Sequence, residues 1–169
     1  MHAMAKTILI ISMLSYCFLL SSCNRAAQKQ TPDERISVEK EDVAPVFHAS
    51  PLESRQNTPF SDGVQVGNTF YLTGQIGRDH AKGALVEGGI EAETKQTLEN
   101  IKAVLAHHDM TMADVVKALV ILDDIEDFAA FNAIYTTYLP QKPARTTFAA
   151  ESLAAGAKIA IEVIAVKQE

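Results

Sequence analysis

The chain has 169 residues, 47% hydrophobic and 21% charged, with 15 basic against 21 acidic side chains. The length fits one domain, and the apolar fraction excludes a wholly disordered chain. A net charge of −6 without a basic cluster argues against gripping a phosphate backbone, and two cysteines, both within the first 23 residues, exclude a four-cysteine zinc site or a disulfide framework.

The chain opens with a single positive charge, Lys6, before an uncharged, largely apolar run from Thr7 to Leu20. That run is short for a membrane-spanning helix, which needs about 20 residues, and fits a secretory signal. It ends in Leu20-Ser21-Ser22-Cys23. Small residues before a cysteine resemble the lipobox of bacterial lipoproteins. The resemblance implies cleavage after residue 22 and lipidation of Cys23, so that no free thiol remains; the plainer alternative is an ordinary signal peptide with a chance cysteine. Export follows, with an anchor on the periplasmic side of a membrane. The absence of Asp after Cys23 points to the outer membrane rather than the inner. The chain would then carry 14 basic and 21 acidic residues, a charge of −7. Residues 23–44 are polar and charged and read as a flexible tether, with an r.m.s. reach of roughly 25 Å. Residues 45–169 are left for the folded domain.

In that domain, a short strand is expected at Val46–Ala49. Val64–Val66 and Thr69–Thr73 flank Gly67-Asn68 and read as a β-hairpin. The glycine-rich stretch from Gly77 to Gly89 reads as a loop. Apolar residues at Ile90, Leu98, Ile101, Val104 and Leu105 predict an amphipathic helix to about His108. Asp114–Leu122 is nearly continuous apolar sequence, as in a buried central strand. Asp123-Asp124 precede a helix over Ile125–Tyr138 whose apolar face carries Phe128, Phe131, Tyr135 and Tyr138. Arg145–Ala150 and Lys158–Lys167 are further strands. The order predicts an α+β fold, one mixed sheet of five to six strands with two helices on one face. Strands apolar on both faces also predict oligomerisation through the uncovered one.

Glu162 is the only polar side chain between Ile159 and Val166. A carboxylate in that setting is expected to be buried, and hence paired or held protonated. Such groups recur at functional sites, although a fold-fixing ion pair or an exposed edge position explains the pattern equally. Arg145, after Pro143, offers a planar fork matched to a carboxylate, either of a substrate or of Glu162. Thr73-Gly74 combines a hydroxyl with a residue that lets a ligand approach the backbone. His107-His108 reads as a solvated helix end, and His48 and His80 lack ligand spacing. No metal-binding, serine-hydrolase or phosphate-loop motif is present.

Taken together, these segments resemble the reactive intermediate deaminase (Rid, YjgF-type) family. The matching blocks are Pro59–Val64, Val66–Asn68, Leu72–Gly77, Glu93–Lys102, Phe128–Tyr135, Lys142–Thr146 and Ile161–Val166. The resemblance implies a chorismate-mutase-like homotrimer that hydrolyses 2-imino acids or their enamines to 2-oxo acids and ammonia, with no cofactor or metal. It implies that Arg145 clamps the substrate carboxylate and Glu162 positions the attacking water. Thr73, Gly74, Phe60, Thr147 and Asn132 would complete a ligand pocket between subunits. Thr73 stands where the family often has Ser, and Thr147 where many members have Cys. Phe60 stands where many have Tyr, so a hydroxyl is lost there. A second reading keeps the trimer and makes it a non-catalytic binder of small carboxylates, because the common imine-producing enzymes are cytoplasmic. A ribonuclease reading fits poorly with an acidic chain.

Overall fold

The computed structural model describes residues 43–168, which lie in one compact unit, Glu41–Glu169. The expected signal segment, Cys23 and nearly all of the tether lie outside the described residues. Ten elements follow in order: β1 (Val46–His48), β2 (Gly63–Val66), β3 (Thr69–Ile76), β4 (Arg78–Asp79), β5 (Ala84–Leu85), α1 (Gly89–His107), β6 (Val115–Leu122), α2 (Phe128–Tyr138), β7 (Ala144–Ala149) and β8 (Ile159–Val166). The expected elements are all present. The glycine-rich loop is more structured than predicted, because β4 and β5 form a small antiparallel hairpin within it.

Six strands form one sheet in the order β1-β2-β3-β8-β6-β7. Only β6 and β7 pair in parallel. Gly67, at φ 59°, turns the β2–β3 hairpin at little steric cost. The parallel pair requires a crossover, and α2 supplies it, packing back onto the sheet. At the start of that connection, the Asp124 carboxylate accepts a hydrogen bond from the Glu126 amide at 3.0 Å. A short 3₁₀ turn, Ile125–Asp127, therefore precedes α2.

Both helices cover the same sheet face. Leu98, Ile101 and Leu105 of α1 meet Phe131 and Tyr135 of α2 over Phe70, Leu72, Val120, Leu122, Ile159, Ile161 and Val163. Each large apolar side chain buried this way contributes about 1.5–3 kcal/mol. The α1 face also buries polar residues. The Asn100 amide donates to the Ile76 and Arg78 carbonyls at 3.0 and 2.9 Å, and Glu93 accepts from the Lys158 amide at 2.8 Å. These contacts pin α1 to the ends of β3 and β8.

Among the described residues, no helix covers the other sheet face. Strand alternation and register put Tyr71, Leu119, Ile121, Phe148, Glu162 and Ile164 there. Tyr71 and Phe148 are exposed, as expected for a bare apolar face. The chain end of α1 differs from expectation. His107 is exposed, but His108 is half-buried, its ring 4.5 Å from both Phe70 and His48. Burial, reinforced by the neighbouring His48 and His107, lowers the His108 pKa, so it packs as a neutral ring rather than as a solvated cation.

Candidate functional site

The predicted site residues fall into two groups, one on each side of the sheet. The first is built on β7 and α2. In the parallel ladder Arg145 is registered with Ala118 and Thr147 with Val120, both core positions, so Arg145 and Thr147 face the helices. The crossover brings α2 above them. The Arg145 Nη1 donates to the Asn132 side-chain oxygen at 2.8 Å. Its guanidinium lies 4.7 Å from the Tyr135 ring centroid, 5.1 Å from that of Phe131 and 5.6 Å from that of Phe128.

Three ring faces and one amide therefore hold the cation in place. Such contacts are worth about 0.5–2 kcal/mol each, depending on desolvation, and they leave the other guanidinium N–H groups for a ligand. Arg145 borders a cleft of about 360 Å³ with Asn132, Tyr135, Lys142 and Pro143. Burial raises the pKa of the Tyr135 phenol and the charge of Arg145 opposes that shift, so Tyr135 stays neutral at physiological pH. The Thr147 hydroxyl oxygen is buried without a hydrogen-bond partner. The aromatic floor was visible in the sequence as the i, i+3, i+7 spacing of Phe128, Phe131 and Tyr135, but that spacing predicts only a core-facing stripe.

The second group is built on a bulge. Leu72 pairs with Val163 and Gln75 with Ile161, so two residues, Thr73 and Gly74, oppose the single Glu162. Three residues singled out separately in the sequence thus come together. The Thr73 hydroxyl donates to the Ser61 carbonyl at 2.6 Å, and its amide donates to the Asp62 carbonyl at 2.9 Å. Thr73 therefore anchors the loop that carries Phe60. A side chain added at Gly74 would meet nothing within 4 Å, so the backbone there is open to a ligand. Phe60, 51% exposed, shares a cavity of about 260 Å³ with Gly74.

Two expectations about Glu162 are corrected. It is exposed, not buried, because strand alternation points it away from the helices. It also cannot pair with Arg145 of its own chain. Glu162 is registered with Leu119 and Arg145 with Ala118, which are adjacent residues of β6 and so point to opposite faces.

The sequence also left unread a network centred on Arg55. Its guanidinium forms a salt bridge with Asp62 at 2.9 Å and donates to the Gln75 side chain at 2.7 Å. Asp62 is 3% exposed and Arg55 11%. The same guanidinium lies 5.9 Å from the Phe60 ring centroid. Arg55 therefore ties the Phe60 loop to β3. No local pattern in the sequence links residues 55, 62 and 75. No group of His, Cys, Asp or Glu among the described residues is arranged to hold a metal ion.

Comparison with known proteins agrees with this architecture. Residues 52–167 match the family model described as Endoribonuclease L-PSP. The chain is 43% identical over 110 residues to a 2-iminobutanoate/2-iminopropanoate deaminase of Capra hircus, covering 64% of this chain and 80% of that protein. Among solved structures, the YjgF gene product from E. coli superimposes with a TM-score of 0.67 at 30% identity, covering 73% of this chain and 99% of that one. E. coli TdcF with bound serine gives a TM-score of 0.62 at 27% identity, covering 66% and 90%. On the extent of the family match, the chain belongs to the Endoribonuclease L-PSP family, the group that contains the YjgF and Rid proteins.

Proposed function

We propose that the protein hydrolyses 2-imino acids, or their enamine tautomers, to 2-oxo acids and ammonia. The observation that carries this reading is the Arg145 cation. It is held on an aromatic floor by Asn132 at 2.8 Å, and it borders an open cleft. A guanidinium fixed in this way binds a planar carboxylate through two parallel hydrogen bonds. The similarity to proteins named imine deaminases supplies the reaction class. The family model's ribonuclease description finds little support in a chain of net charge −6.

An imine is already electrophilic, so orientation and proton transfer are the main requirements. Arg145 anchors the substrate carboxylate. Glu162 accepts a proton from water as the water oxygen bonds to the imine carbon. That proton passes to the nitrogen to give a carbinolamine; the hydroxyl proton then follows it to the nitrogen, the carbon–nitrogen bond breaks, and ammonia leaves as the carbonyl forms. Since Arg145 and Glu162 lie on opposite faces of one chain, the complete site takes Arg145, Asn132 and Thr147 from one chain, and Glu162, Thr73, Gly74 and Phe60 from a neighbour. A homotrimer that buries the bare sheet face provides the junction. No cofactor takes part in this scheme. From the lipobox-like ending at Cys23 we further propose that the trimer is exported and held on a lipid anchor. No helix among the described residues is long and apolar enough to cross a membrane.

The test is imine hydrolysis by the purified chain. Imines are generated in place by an amino-acid oxidase, and 2-oxo acid release is followed against the spontaneous rate. Arg145→Ala loses about 2–5 kcal/mol of transition-state binding, or roughly 30-fold and upward in kcat/KM. Arg145→Lys is impaired as well, because a point charge lacks the fork. Native protein that does not outpace spontaneous hydrolysis, or an Arg145→Ala variant as fast as the native chain, overturns the reading.

A further inference from the structure

We infer that the preferred substrate carries a second acidic group, recognised by Arg78 in the cavity that Phe60 and Gly74 line. The inference rests on the deaminase reading and names its substrate class. That cavity, about 260 Å³, is bordered by two guanidinium groups, those of Arg55 and Arg78, together with His80. The two cations are differently engaged. Arg55 is neutralised by Asp62 at 2.9 Å and committed to Gln75 at 2.7 Å.

Arg78 has no carboxylate partner among the described ion pairs. Its adjacent acid, Asp79, is turned toward Lys82 at 3.5 Å and accepts from the Ala81 and Lys82 amides at 3.0 and 3.2 Å. Arg78 itself spends one nitrogen, Nη2, on the Gly83 carbonyl at 2.6 Å. Gly83 sits at φ 69°, in the turn of the β4–β5 hairpin that carries Arg78. The hairpin thus holds the guanidinium at the cavity with donors to spare.

The positive field is felt by the neighbouring imidazole. Burial lowers the His80 pKa, and the charges of Arg55 and Arg78 lower it further. An aliphatic substrate arm entering this cavity would desolvate a cation without giving it a partner. An arm ending in a carboxylate would gain charge-assisted hydrogen bonds instead. With the 2-carboxylate on Arg145 and the imine carbon near Glu162, the arm of a 2-imino diacid reaches toward Gly74 and Arg78.

The experiment uses the full-length chain and two readouts. Imines from aspartate and glutamate are compared with those from alanine and leucine for kcat/KM. Binding of the stable products 2-oxoglutarate and pyruvate is measured by calorimetry. The native chain favours the diacid in both readouts. In Arg78→Ala the diacid-to-neutral ratio falls at least about tenfold, the worth of one charge-assisted hydrogen bond, and Arg78→Lys restores part of it. A native chain without diacid preference, or an Arg78→Ala variant that keeps the ratio, overturns the inference while leaving the deaminase reading intact. If neither imine class is accelerated, the deaminase reading fails, and the binding ratio alone decides the role of Arg78.

Discussion

Arg145 and Glu162 stand on opposite faces of one sheet, three strands' width being spanned by β7, β6 and β8. A site that needs both must draw them from two chains. Arg145→Ala and Glu162→Gln chains are therefore each strongly impaired alone but complement one another when co-assembled. A ring of three containing both kinds of chain has one junction with both native residues. A statistical mixture then recovers roughly a quarter of native turnover. Co-expression with two affinity tags and an imine assay measures this, and a mixture as impaired as its parents rules out a shared site.

Arg55 and Asp62 form a buried ion pair at 2.9 Å beneath the Phe60 loop. Removing one partner strands a charge. Arg55→Met leaves the Asp62 carboxylate, 3% exposed, without its cation and costs about 3–5 kcal/mol in denaturant unfolding. The double variant Arg55→Met with Asp62→Leu is less destabilised than Arg55→Met alone, because no charge is left behind. A double variant that loses the sum of both single changes would show that the pair has no such coupling.

Gly77 follows β3 and lies against α1. A side chain there would sit 2.6 Å from the Glu93 Cα and 2.6 Å from its Cβ. Backbone cannot yield as a flexible side chain does, so Gly77→Ala costs about 1–3 kcal/mol through overpacking. The same change at Gly74, where a Cβ meets nothing within 4 Å, costs far less stability. Thermal unfolding of the two variants side by side checks the contrast, and equal midpoints would refute it.

Tyr138 donates to the Glu99 carboxylate at 2.6 Å. Burial, then that hydrogen bond and the charge behind it, push the phenol up to about 12 from an ordinary value of 10.0. A folded-state value above the unfolded one means that its contribution to stability is intact below about pH 10. It is lost as pH rises through about 12. Tyr138→Phe removes one late phenolate step from the absorbance titration and flattens the stability profile across that window. A step lost near pH 10 instead would place the phenol in solvent.

The local elements were legible because each is written in its own short stretch. Gly67-Asn68 between β-rich runs marks a hairpin, and Leu98, Ile101 and Leu105 at helical spacing mark the buried side of α1. The blocks around Thr73-Gly74, Pro143-Ala144-Arg145 and Glu162 were enough to name the family. What the sequence could not supply was the phase of the strands. From Ile159 to Val166 every neighbour of Glu162 is apolar, so alternation shows that two faces exist but not which one the helices cover. Packing decided that. It left Glu162 on the uncovered face beside the Thr73-Gly74 bulge, and turned Arg145 under Phe128, Phe131, Asn132 and Tyr135. That cluster joins residues 10–17 positions apart through a crossover whose direction is fixed by strand twist and helix packing rather than by any local motif. The sequence by itself determined the elements and offered candidates for the chemistry, Arg55 and Arg78 not among them. The tertiary structure alone divided those residues between two faces, because side-chain direction across a sheet is settled only when its faces find something to bury against.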